Sequence, residues 1–254
     1  MGVFKCEPMI DKQQETTSSY SFQTYALGEQ AITLEFGNEI SEETAEQINS
    51  FKELLSENLF PGFKTTVSAY TTLTVFYHLM EVLTSDLVGT TCFEKVSNYL
   101  HQLKKSEYQI QHTSKAVVTI PVCYDEKFGI DLREVAQINK LTVNEVIEIH
   151  AAARYRVFMI GFTPGFAYLG GMDRRIASPR KSTPRLSLPA GAVGIAGNQT
   201  GIYPLKTPGG WQIIGQTPLK MFDIHRDQPS FLNAGDEVMF KPISMAEFNE
   251  LSCQ

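Results

Sequence analysis

Between Gly161 and Pro218 the chain interleaves glycine, proline and aromatic residues too densely for a long helix to form. Eleven of the 18 glycines, seven of the 12 prolines and the single tryptophan lie in this stretch. Glycine serves where the backbone needs positive φ or a close approach, and proline fixes φ while removing an N–H donor. Such a text builds short strands joined by shaped loops around a cleft. The same alternation continues to Phe240 and predicts a closed or nearly closed β-barrel.

Charge divides the chain. Residues 1–113 hold 7 Lys, no Arg and 15 Asp/Glu, a net of −8, whereas residues 114–254 hold 7 Lys, 8 Arg and 13 Asp/Glu, a net of +2. The polar stretch from Lys104 to Thr113 is the natural seam, which gives an α+β domain over 22–110 and a barrel domain over 111–254. Residues 1–21, with their Gln/Thr/Ser run, read as a flexible start.

In the first half, Phe22–Leu27 and Ala31–Phe36 are β-prone runs broken at Gly28. Ser41 caps a helix that carries Ala45, Ile48, Phe51, Leu54 and Leu55 on one face. Thr65 to Leu79 reads as strand, Asp86 to Leu103 as helix and Ala116 to Tyr124 as strand. Alternating helices and strands on one small sheet make a compact α+β layer. In the second half a helix is expected within Asp131 to Lys140. Thr142 with Glu145 forms a capping box for the next helix, and Arg154–Ile160 is a strand.

Several classes of function are excluded or disfavoured. A net charge of −6 argues against a general nucleic-acid or anionic-membrane binder. Cys6, Cys92, Cys123 and Cys253 are scattered without metal-ligand spacing and read as reduced thiols, so no metal site is expected. No run approaches the roughly 20 apolar residues of a membrane span, and the start lacks signal-peptide character, which makes the cytoplasm the expected compartment. The Gly-x-Ser-x-Gly, His-Glu-x-x-His, phosphate-loop and dinucleotide signatures are absent. The glycine-rich Ala190–Gly197 segment follows a proline rather than a strand leading to a helix, so it reads as a barrel strand between tight turns.

Candidate site residues cluster in the glycine/proline text. Arg180 and Arg185 each follow a proline in a segment with almost no acid. Their guanidinium forks suit a carboxylate or phosphate, a solvated surface or a protein partner. Gln199, Thr200 and Tyr203 offer donors and acceptors in a turn-rich run, for a polar ligand or for the turns themselves. Trp211 either stacks a flat ligand or fills the barrel end. Each of the five histidines reads as structural, with His150 favoured as a cation at a helix C-terminus. Glu42, Glu43 and Glu46 read as a solvated helix face.

The motifs Val118-Thr119-Ile120-Pro121-Val122-Cys123-Tyr124, Gly161-Phe162-Thr163-Pro164-Gly165-Phe166-Ala167-Tyr168-Leu169 and Pro208-Gly209-Gly210-Trp211-Gln212-Ile213-Ile214-Gly215-Gln216-Thr217-Pro218 occur in the order of one known family. Asp131-Leu132, Pro179-Arg180, Pro184-Arg185, Gln199 to Pro204 and Pro229 to Val238 extend the match. The chain resembles the PxpB/KipI family, the first subunit of bacterial ATP-dependent 5-oxoprolinase, also called allophanate hydrolase subunit 1. Ser68 and Thr71 depart from the proline and basic residue usual there.

The resemblance implies an N-terminal α+β domain followed by a cyclophilin-like β-barrel. It implies a subunit, inactive alone, that opens 5-oxoproline to L-glutamate with a PxpC/KipA-type subunit, a PxpA-type component and ATP. Two alternatives accompany it: a KipI-type inhibitor of a sensor histidine kinase, and a carboxyltransferase-like half of a urea carboxylase or allophanate system. For the first reading, Arg180, Arg185, Gln199, Thr200 and Tyr203 are expected to line the barrel cleft, with Phe166 and Trp211 as apolar walls. Gly161, Pro164, Gly165, Gly209 and Gly210 shape its loops, and backbone N–H groups near Pro164-Gly165 are expected to face an oxyanion.

Overall fold

The computed structural model describes residues 20–105 and 117–253. Most of the expected Lys104–Thr113 seam, with its 110/111 boundary, lies outside the described residues, as do residues 1–19 of the expected flexible start. Tyr20, counted in that start, is instead buried edge-on to Phe51.

Four antiparallel strands form the first layer: β1 (Gln23–Ala26), β2 (Ala31–Glu35), β3 (Phe63–Ser68) and β4 (Thr72–Tyr77), in the order β1-β2-β4-β3. Ile32, Leu34, Leu73 and Val75 alternate inward and meet α1 (Glu42–Glu57) through Ile48, Phe51 and Leu55. Ser41 caps α1 as expected, its Oγ accepting the Thr44 N–H at 3.1 Å.

Two expectations change here. The run from Thr65 to Leu79 is not one strand but the β3–β4 hairpin, turned over Ala69-Tyr70-Thr71 with the Ala69 N–H on Thr72 O at 2.8 Å. That turn contains neither glycine nor proline, so the β-prone composition runs through it unbroken. The helix from Asp86 to Leu103 is α3 (Cys92–Leu103) alone, preceded by the short α2 (Leu79–Thr84). A Thr91/Glu94 capping box starts α3, and the Lys95 ammonium donates to Leu83 O and Ser85 O at the end of α2.

After the seam come β5 (Val118–Val122), α4 (Leu132–Asn139), α5 (Val143–Ala152), β6 (Tyr155–Ile160), β7 (Ala167–Gly170), β8 (Arg185–Leu188) and β9 (Ala192–Ala196). β10 (Gln199–Ile202), β11 (Thr207–Gly209), β12 (Gln212–Gln216), β13 (Glu237–Pro242) and α6 (Met245–Ser252) complete the chain. Seven strands form one sheet in the order β12-β9-β10-β7-β6-β13-β5, and β8 and β11 pair separately as a short ribbon.

The two ends of the seven-strand order meet at Cys123 and Gln216, which exchange backbone bonds of 2.9 and 3.0 Å. Beyond that pair the seam is held by Asp131. Its N–H donates to Ile213 O and its carboxylate accepts the Ile213 N–H, both at 2.8 Å. The result is the nearly closed barrel that the turn-rich text predicts, around a core that includes Val122, Val157, Leu169, Val193, Ile195 and Ile214. The Thr142/Glu145 capping box opens α5 as expected, and α5 packs on β13. The Ala190–Gly197 segment supplies β9, whose five residues are all buried. The protein is therefore an α+β fold. No helix among the described residues is long and apolar enough to cross a membrane.

Polar contacts join the two layers. Arg156 Nη1 donates to Glu46 Oε1 at 2.8 Å, so Glu46 is not part of a merely solvated face. The Tyr70 hydroxyl donates to Gln199 Oε1 at 2.9 Å, and its ring sits edge-on to Phe158 and Tyr168.

Candidate functional site

One end of the barrel holds a cavity of about 310 Å³ with a wall of aromatic rings. Phe166 precedes β7, Tyr168 lies two residues on along the same strand direction, Tyr203 follows β10 and Trp211 precedes β12. Phe166 meets Tyr203 at 5.1 Å, Trp211 at 5.5 Å and Tyr168 at 4.7 Å between ring centroids, all edge to face. This arrangement sets each positive ring edge on a negative ring face, so the wall is rigid without ligand. Gly209 is required there, because a Cβ would lie 2.5 Å from Tyr203 Oη. Burial pushes the Tyr203 hydroxyl up to about 12, against a bond from the Trp211 N–H, so it remains a neutral phenol.

Charge in the cavity is sorted by one buried acid. Asp131, 3% exposed, receives Arg185 in a two-pronged bond at 2.9 and 2.6 Å and the Lys181 ammonium at 3.0 Å. Lys181 also pairs with Glu134. Burial works against ionised Asp131, but Arg185, the Ile213 N–H and Lys181 outweigh it and hold the carboxyl below its usual range. Arg180 is different. Its guanidinium lies 5.9 Å from the Trp211 ring, and it makes no ion pair among the described residues. The cavity therefore combines apolar walls with one uncommitted cation.

The sequence-predicted residues separate accordingly. Phe166, Arg180, Tyr203, Gly209, Gly210 and Trp211 come together in this cavity. Arg185 does not act as a second free fork, because Asp131, distant in sequence, neutralises it. Thr200 is fully buried and cannot line the cleft; its hydroxyl donates to Gly194 O at 3.0 Å. Gln199 lines a neighbouring cleft of about 700 Å³ between the layers, which shares Arg180 with the cavity.

Gly161, Pro164 and Gly165 shape the loop whose Phe162 forms the cavity rim, with Phe162 at φ 67° and Gly165 at φ 80°. The amides of Gly161, Thr163 and Phe166 bond within that loop. Tyr168, absent from the sequence-predicted set, carries a signal in its period-two spacing to Phe166 along a strand.

His150 also departs from expectation. It is fully buried and neutral, its pKa pushed down to about 3 by burial. The Thr200 proton is used on Gly194 O, so His150 Nε2–H donates to Thr200 Oγ1 at 2.9 Å. Nδ1 then accepts the Tyr124 hydroxyl at 2.7 Å. Every member of this chain is satisfied, which is how a polar group survives inside a barrel.

Residues 22–232 match the family described as carboxyltransferase domain, subdomains C and D, and the chain belongs to that family. It is 45% identical over 229 residues to a subunit of 5-oxoprolinase from Bacillus subtilis (strain 168), spanning 90% of this chain and 95% of that one. The crystal structure of TTHA0988 superposes with a TM-score of 0.72 at 35% identity over 84% of this chain, which spans 40% of that longer protein. The urea amidolyase of K. lactis shares the fold at a TM-score of 0.69 and 17% identity, covering 94% of this chain and 16% of that one.

Proposed function

We propose that this chain is the substrate-orienting subunit of an ATP-dependent 5-oxoprolinase, working in the cytoplasm with PxpA- and PxpC/KipA-type partners to release L-glutamate. The observation that carries this reading is Arg180, the uncommitted cation at an otherwise neutral aromatic cavity, in a chain so similar to a known 5-oxoprolinase component. The substrate has one carboxylate and one flat lactam. The guanidinium matches the first, and the faces of Phe166 and Trp211 with the Tyr203 hydroxyl match the second.

The lactam is too stable to open quickly unaided, and ATP supplies the phosphoryl group that activates it. The one phosphate-friendly segment in the sequence does not fit that nucleotide. The glycine-rich Ala190–Gly197 segment is spent on buried β9 and leads into no helix, so no phosphate cradle forms there. The chain is accordingly expected to be inactive alone and active in the complex, measured as ATP-dependent glutamate release. Turnover by the purified chain would refute this.

Arg180→Ala should leave fold and assembly intact and raise KM roughly ten- to hundred-fold, the loss of about 1.5–3 kcal/mol from one charge-assisted bond. Size exclusion and steady-state kinetics on the same preparation separate substrate binding from partner binding. Parental KM in an assembled Arg180→Ala complex would overturn the assignment.

A further inference from the structure

The cleft between α1 and the barrel is lined by three solvent-exposed charges. Arg174, Arg180 and Glu42 line it, and none of the three makes an ion pair among the described residues. Nearby charges at the same seam are matched, Arg156 with Glu46 and Asp131 with Arg185 and Lys181. We propose that this cleft binds an acidic α-amino acid, with the two guanidinium groups taking its two carboxylates and Glu42 taking its ammonium.

Other ligand classes leave a charge unmatched. An inorganic anion meets Glu42 with nothing to offer it, a diamine meets two cations, and a neutral amino acid leaves one arginine bare. An acidic amino acid has a net charge of −1 against the lining's +1, with two carboxylates for the two arginines and one ammonium for Glu42. The cleft is also built to hold an aliphatic stem. Phe158 and Met172 form apolar floor, and Phe158 lies over Gly170 so closely that a Cβ there would be 1.8 Å from its ring. The Tyr70–Gln199 and Arg156–Glu46 bonds tie the two walls across the seam, so the space is preformed.

Arg180 lines this cleft and the aromatic cavity both. A carboxylate held in the cleft draws the guanidinium away from the Trp211 face and leaves the cavity without its cation. This consequence rests on the cavity being the 5-oxoproline site; the binding itself does not. Ring opening converts a monocarboxylate lactam into an acidic amino acid, so the product would oppose its own formation from a neighbouring site.

The test is calorimetric titration of the full chain with L-glutamate, L-glutamine and glutarate, with thermal unfolding as the check on fold. L-Glutamate should bind saturably, and L-glutamine and glutarate at least tenfold more weakly. Arg174→Ala should weaken L-glutamate tenfold or more. Glu42→Gln should weaken L-glutamate and strengthen glutarate, an inversion that a general fold defect does not produce. Absent saturable L-glutamate binding, equal affinity for glutarate, or parental affinity in folded Arg174→Ala would each overturn the proposal. Glutamate binding in a chain whose reconstituted complex does not use 5-oxoproline would leave the cleft standing and remove the reading of the cavity. Turnover without glutamate binding removes the cleft alone.

Discussion

Asp131→Ala should destabilise the barrel by about 3–5 kcal/mol, the range found when one partner of a buried ion pair is removed. The carboxylate serves three structures at once. It neutralises Arg185 and Lys181, it accepts the Ile213 N–H, and with its own N–H on Ile213 O it bridges the seam where β5 and β12 fail to pair. Truncation leaves two cations and a buried amide facing a void. Asp131→Asn keeps an acceptor for Ile213 but not the charge, so its loss should be smaller. Arg185→Ala should be smaller again, because that side chain is 31% exposed and water can replace part of what it loses. Urea-unfolding midpoints of the three variants give the ranking. A loss below about 1 kcal/mol for Asp131→Ala would mean the seam is held by the Cys123–Gln216 pair and core packing instead.

The same acid explains why half of the candidate site was legible in the sequence and half was not. Features written within a few residues were readable: the Ser41 cap, the Thr142/Glu145 box, the glycine- and proline-punctuated strands, and the aromatics bordering them. Phe166, Tyr203 and Trp211 meet because each stands where a barrel strand begins or ends, which the turn signals marked. The role of Arg185 was not readable, since its partner is 54 positions away and only the barrel's closure brings Asp131 beside it. The same holds for Tyr70 with Gln199, 129 positions apart, and Arg156 with Glu46, 110 apart. Arg180 and Arg185 look alike as Pro-Arg pairs, and the fold commits one and frees the other. The β3–β4 turn was hidden for a local reason: Ala69-Tyr70-Thr71 carries none of the residues that mark a turn. Tyr70, at the tip of that turn, is the residue the first layer lays against Tyr168 and the wall of the cavity.

His150 should make the protein lose stability in mild acid, well before its carboxylates titrate. In the unfolded chain the imidazole takes a proton near its ordinary 6.5, whereas in the barrel burial holds the value at about 3. Above pH 6.5 the ring is neutral in both states and contributes no pH dependence. Below it the unfolded chain binds a proton that the native state refuses, so stability falls by about 1.4 kcal/mol per pH unit until the folded value is reached. The loss is about 2 kcal/mol at pH 5. His101, also shifted downward by burial, adds in the same direction. The lowered carboxyls, Asp131 among them, act only below their ordinary values of 3.8 to 4.5, so the window from pH 6.5 to 5 belongs to histidine. His150→Gln provides the control, because a glutamine amide can still donate to Thr200 Oγ1 yet cannot titrate. Its stability at pH 7 should fall through the lost stacking on Phe240 and the altered bond to Tyr124. Its slope between pH 6.5 and 5 should flatten relative to the parent. A parent whose urea midpoint is unchanged across that window, or a glutamine variant with the parental slope, would show that the ring is not held neutral by burial.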